Sequence, residues 1–214
     1  MKTIDMNVMA KAIGVAVIAY ILWVIISLVL ISSSTRKPTK SPQGMDYYIV
    51  MGFGLYTAPD GSISAGESNR AIARFLLDTN KKGKPAIVQY GVFLALDKLR
   101  QEEAAYADRE LDWVIALPHD DRFYIDTRDA GLQSLAIGHY MGLNRPALIA
   151  HPDQLDRVAF IFRHLPLEES FVVPETPPMP YDRRSIQPWT RSRWIYGAFE
   201  LFVNRPRSVL KVFL

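Results

Sequence analysis

Tyr47-Tyr48-Ile49-Val50-Met51-Gly52 is the stretch whose reading decides the fold. An apolar, β-prone run with no polar alternation stops at a glycine, the pattern of a strand buried on both faces. The same kind of run returns at residues 85–90, 113–117, 146–150 and 171–173. Between these runs, residues 67–78, 94–111, 127–141 and 154–164 read as helices. In the first of them Ile72, Phe75 and Leu76 share one face. Short apolar strands alternating with amphipathic helices predict parallel βαβ units with right-handed crossovers. The expected fold is therefore α/β: a Rossmann-like, three-layer open sheet, mostly parallel, of about five strands, over residues 46–180.

Upstream of this domain, residues 12–31 form a run of 20 residues without a charge. One helix crossing a bilayer needs roughly 20 apolar residues at about 1.5 Å rise each. A helix over about 9–31, within a membrane anchor of residues 1–31, is expected. A cleavable signal peptide has a shorter apolar core, about 7–15 residues. A buried core helix would show more of a polar face than Tyr20 and Ser27 provide. Lys2 and Lys11 before the span against Arg36, Lys37 and Lys40 after it leave the positive-inside count near a tie. Residues 32–45, rich in Ser, Pro, Thr and Lys, read as a flexible linker.

Downstream, residues 174–180 form a proline-rich, extended spacer. Residues 181–214 then mix Trp189, Trp194, Tyr196, Phe199, Phe202 and Phe213 with arginines. This basic aromatic segment suits either a terminal helix packed on the domain or an element at the membrane surface.

The net charge of +3 conceals a segregation. Residues 1–45 carry five basic residues against Asp5, and residues 181–214 carry seven against Asp182 and Glu200, so the stretch between them is acidic. A nucleic-acid partner is not expected, because the basic character belongs to the ends and not to the folded body. Basic ends beside an anchor suit anionic lipid headgroups. With no cysteine, disulfides, thiolate nucleophiles and cysteine-held metals are all excluded.

In an open α/β sheet, ligands bind beyond the carboxyl ends of the strands. Gly52 and Gly54 begin a dinucleotide-like motif, but Thr57 stands where the third glycine of G-x-G-x-x-G would fall. No P-loop, G-x-S-x-G or H-E-x-x-H occurs, so no cofactor is indicated. His119-Asp120-Asp121 offers nitrogen and oxygen ligands but reads as a solvated acidic turn, and no metal site is expected.

The first loop holds Asp60, Gly61 and Ser64, followed by Arg70 in the next helix. These spacings resemble the G…D-G-x-x-S-x-x-x-x-x-R loop of the YdcF/SanA/ElyC-like family of bacterial envelope-associated proteins. The family pattern N-T-x-E-N-A resembles residues 126–131, with Thr127 matching, Asp129 replacing an acid by an acid, and Ala130 replacing Asn. V-T-S-x-x-H-x-x-R resembles residues 149–157: Arg157 matches, Gln154 stands at the histidine, and His151 lies three residues earlier. The resemblance covers about residues 46–205. It implies a Rossmann-like fold behind one membrane helix, a place in the inner membrane with the domain in the periplasm, and a part in peptidoglycan and lipid-carrier economy.

Taken as chemistry, these positions describe an anion pocket. Gly52, Gly54, Gly61 and Gly91 free backbone N–H groups near helix starts. Ser64 and Thr127 suit helix caps or phosphate contacts. Arg70 and Arg157 suit bidentate contacts, with Asp60 and Gln154 alongside. His151 or Asp129 would move a proton if the protein is a hydrolase or transferase. The expected ligand is a phosphorylated small molecule or a lipid-linked headgroup. The rival reading is a non-catalytic envelope scaffold that positions protein partners.

Overall fold

The computed structural model describes residues 6–33, 44–109, 111–112, 114–117, 126–165 and 171–213. The chain opens with one long helix, α1 (Met6–Ser33), and then enters the sheet at β1 (Tyr47–Val50). A small antiparallel hairpin follows, β2 (Tyr56–Thr57) and β3 (Ile63–Ser64), then α2 (Gly66–Thr79). The alternation continues with β4 (Ala86–Gln89), α3 (Tyr90–Glu102), α4 (Ala104–Ala107), β5 (Val114–Leu117), α5 (Thr127–Tyr140), β6 (Pro146–Ile149) and α6 (Pro152–Arg163). The chain ends in α7 (Arg193–Phe199), a π-helical segment Glu200–Asn204, and α8 (Arg205–Phe213).

The four main strands are parallel, in the order β5-β4-β1-β6. β1 is buried at every residue because it is central, with Ile49 paired to Ile87 on one side and Leu148 on the other. Alternate strand residues feed two cores. Tyr48, Val50, Ala86 and Val88 meet Ile72, Leu76 and Leu96 of α2 and α3. Tyr47, Ile49, Ile87 and Leu148 meet Leu135, Val158 and Phe162 of α5 and α6. This is the three-layer α/β arrangement, and the strand order reverses between β1 and β6. The carboxyl ends of those two strands flank the topological switch point where such folds bind ligands.

The edges differ from the sequence reading. In place of a fifth strand, residues 171–173 give a single parallel bridge, Val172 beside Ala147, closed by Leu148 N–H to Val172 O at 2.8 Å and Val172 N–H to Pro146 O at 2.9 Å. The helix expected over 94–111 starts at Tyr90, directly on the end of β4, and breaks at Glu103, which is extended (φ −121°, ψ 107°). Trp113, His119-Asp120-Asp121 and most of the linker, 34–43, lie outside the described residues.

Residues 9–33 are long and apolar enough to cross a membrane, with mean hydropathy 2.8 over their most apolar 18 residues. The second half of α1 also packs on the domain. Val24, Ser27 and Ile31 are buried, Trp23 and Leu30 join the core beside α6 and α8, and the Tyr20 hydroxyl donates to the Phe202 carbonyl.

Candidate functional site

β1 leaves the sheet through Gly52-Phe53-Gly54, and three amide side chains fix that exit. Gln89 Oε1 accepts from Gly52 N–H at 2.6 Å, and Asn69 Oδ1 accepts from Phe53 N–H at 2.8 Å. Asn69 Nδ2 donates to Gly54 O at 2.5 Å and to Ala65 O at 2.8 Å, and Gln154 Nε2 donates to Gly52 O at 3.2 Å. Backbone groups that a strand end leaves open are thus satisfied from α2, β4 and α6. Gly91 completes the fit. A Cβ there would lie 2.7 Å from Asn69 Nδ2 and 2.8 Å from Leu55 Cδ2, so α3 can start this close to α2 only through a glycine.

A cleft of about 80 Å³ opens at this end of the sheet, lined by Gly52, Gly54, Gly91, Thr127, Gln154 and Arg157 among others. Gln187, Trp189, Thr190, Tyr196 and Asn204 from the C-terminal segment line it too. It adjoins a groove of about 370 Å³ between α5, α6 and α8, with which it shares the lining residues Thr127, Arg157, Gln187, Trp189 and Asn204. Arg128, Arg207 and Lys211 bring positive charge to that groove, against Asp126.

Arg157 is already engaged. Its Nε lies 2.9 and 3.0 Å from the two carboxylate oxygens of Glu200, and Nη1 donates to Thr127 Oγ1 at 3.1 Å. Glu200 in turn accepts from Tyr196 OH at 3.0 Å and Asn204 Nδ2 at 3.1 Å. Asp126 caps α5 through Arg128 N–H at 2.9 Å and is paired with Lys211. Burial works to raise its carboxyl, but the hydrogen bonds from Lys211 and the Arg128 amide overcome this and hold the pKa below the usual range.

Other predicted residues lie elsewhere. Asp60 and Gly61 form the exposed tip of the β2–β3 hairpin, where Ser62 N–H and Oγ donate to Asp60 at 2.9 and 2.6 Å and hold its pKa low. Asp60, Ser64 and Arg70 line a separate open depression, and Arg70 pairs there with Glu102 at 2.8 Å and Glu103 at 3.1 Å. Ser64 lies in β3 and does not cap α2. That role falls to Asp182, which accepts from the N–H of Glu67, 115 residues earlier, at 3.1 Å. Gly66, at φ +69°, is needed because a Cβ there would strike the Asp182 carboxylate. The start of α2, expected to receive a ligand anion, is therefore filled by the chain's own carboxylate.

His151 caps α6, its Nδ1 accepting from Asp153 N–H at 3.3 Å. It is fully buried beneath Phe53, with ring centroids 4.0 Å apart. Burial brings its pKa down to about 4, so the ring is neutral at physiological pH. Asp129 is exposed on the first turn of α5 and lines neither cavity. Among the described residues, no group of three or more His, Asp or Glu is arranged to hold a metal.

Sequence reasoning missed Asn69, Gln89, Asp182 and Glu200. One signal was available: Asn69 sits on the buried stripe of Ile72, Ala73 and Leu76, where an amide needs a specific partner.

No family model, curated protein or solved structure matches the chain.

Proposed function

We propose that the chain is a membrane-anchored envelope protein of the YdcF/SanA/ElyC-like type. In this reading the periplasmic α/β domain binds a phosphorylated small molecule or a lipid-linked headgroup in the strand-end cleft and the groove beside it. The observation that carries the proposal is the groove bearing Arg128, Arg207 and Lys211 against Asp126, which shares five lining residues with the strand-end cleft. Two features support it. α3 begins in the cleft, at Tyr90 and Gly91, with no side-chain cap on its N-terminus. That end has the positive dipole pole and backbone donors that suit an anion. α8, which carries Arg207 and Lys211, also packs along α1, so the groove lies beside the anchor.

Binding is favoured over catalysis by the places of the two proton-transfer candidates. His151 is held neutral behind Phe53, and Asp129 is exposed on the first turn of α5 and lines neither cavity.

Calorimetric titration of inorganic pyrophosphate into the full chain in detergent tests the reading. The wild type should bind, and Arg207→Ala with Lys211→Ala should weaken binding by roughly tenfold or more, since a hydrogen bond to a charged group is worth about 1.5–3 kcal/mol. Absence of binding at millimolar pyrophosphate, or equal binding by the double variant, would overturn it.

A further inference from the structure

The length of α1 does not match a domain that stands clear of the bilayer. The hydrocarbon core is about 30 Å thick and takes roughly 20 residues of helix. The charge-free run, residues 12–31, supplies that length only if all of it is used. Yet α1 is already docked from Tyr20 onward: Tyr20 binds the Phe202 carbonyl, and Val24, Ser27 and Ile31 are buried against the domain. Residues 9–19, the part before the first docked residue, extend only about 17 Å at 1.5 Å per residue. That is little more than half a crossing.

We propose that the edge formed by α7, the π-helical segment and the start of α8 is seated among the lipid acyl chains of one leaflet, beside α1. The strand-end cleft then faces the membrane. This rests on the reading of α1 as a membrane span and goes beyond it.

The surface of this edge fits hydrocarbon. Trp194 is 91% exposed, and Ile195, Phe202 and Val203 are between 41% and 50% exposed. Ile195, Phe202 and Val203 are all exposed along this one continuous helical segment. The segment meets α1 at the Tyr20–Phe202 contact. The backbone suits the same environment, because residues 193–213 are helical throughout and the Phe202 carbonyl has the Tyr20 hydroxyl as donor. The charged groups of the segment that point inward are paired, Glu200 with Arg157 and Arg205 with Glu200 and Asp156. Arg193, at the start of α7, lies 3.5 Å from Asp153 but is 80% exposed at the side chain and has the reach to place its guanidinium among headgroups.

The chain has no cysteine, so single thiols can be placed at will. Val17→Cys in α1, Ile195→Cys and Phe202→Cys in the apolar edge, and Tyr140→Cys at the opposite end of the sheet would each carry a nitroxide. The labelled full chain is placed in phosphatidylcholine–phosphatidylglycerol vesicles. Collisions with oxygen, which concentrates in lipid, and with a water-soluble nickel chelate are then measured. Labels at 17, 195 and 202 should be open to oxygen and lose access to nickel, whereas 140 should remain open to nickel. If 17 lies in lipid while 195 and 202 are as open to nickel as 140, the immersion fails and the anchor stands. If 17 is also open to nickel, the anchor reading fails and the immersion with it. Shielding of 195 and 202 from both reagents would mean that protein covers this edge, and would equally overturn the proposal. Val203→Cys repeats the test should either edge variant fail to fold.

Discussion

At position 151 the chain caps a helix with histidine, where Ser, Thr, Asp or Asn is more usual. The ring is enclosed by Phe53 at 4.0 Å and Tyr181 at 4.9 Å between centroids, and desolvation lowers its pKa to about 4. The unfolded chain takes up this proton near pH 6.5. The His151 contribution to stability is thus fully present above about pH 6.5, falls as the pH drops towards 4, and levels off below that. A gap of this size corresponds to about 3 kcal/mol. Urea unfolding of the full chain in detergent at pH 7 and pH 4.5 measures it. His151→Asn, which caps without titrating, should remove much of the slope; an unchanged slope would show that other groups set it. A histidine before a proline at a strand's end was legible as a candidate, but its burial was not. The residues that enclose it are remote in sequence, and two of them are aromatic rings whose positions depend on the finished fold.

Elements were legible wherever periodicity was local. β1, β4 and β6 announce themselves as apolar runs, and the apolar faces of α2 and α6 follow from helical spacing. What joins elements was not legible, because it depends on pairs far apart in the chain. Asp182 capping α2 is one such pair, and the joint between α6 and the π-helical segment is another. There Arg157 and Glu200, 6% and 5% exposed at the side chain, hold two elements 43 residues apart. Removing one partner leaves the other charged in a place without water, which costs about 3–5 kcal/mol. Glu200→Gln should therefore destabilise the chain by about that amount. Arg157→Met together with Glu200→Leu should cost less, since no charge of the pair is left orphaned and what remains is the loss of the bonds that Tyr196, Asn204, Arg205 and Thr127 make to it. Thermal unfolding of the two variants in detergent decides this. If the single and double changes prove equally costly, the loss is one of packing and not of an orphaned charge. Arg157 also bonds Thr127 at 3.1 Å, so the same joint fixes the start of α5 beside the cleft. The single variant should accordingly weaken pyrophosphate binding as well.

For the molecule as a whole, the sequence marked a helix long and apolar enough to cross a membrane, which the structure has, while its second role needed coordinates. Residues 12–31 have no amphipathic stripe that would mark a docking face, because in a uniformly apolar helix the buried and lipid-facing sides are made of the same residues. The structure assigns the sides: Val24, Ser27 and Ile31 face the domain, and Ile25, Ile26 and Val29 are about half or more exposed. Ile31 lies in the same core as Tyr47 and Val209. The anchor is thus part of the fold, and taking it away uncovers apolar surface on α6 and α8. Burying a side chain such as Ile or Val contributes about 1.5–3 kcal/mol, so Ile31 and Val24 together account for roughly 3–6 kcal/mol of the domain's stability. A fragment of residues 44–214 should then be less stable than the full chain and should associate with itself when no detergent is present. Size-exclusion chromatography and urea unfolding of the fragment and the full chain, compared in the same detergent and for the fragment also without it, test both parts. A fragment that is monomeric in plain buffer and unfolds at the same urea concentration as the full chain would mean that α1 adds nothing to the domain. It would also remove the docked half of α1 from the argument that carries the apolar edge into the bilayer.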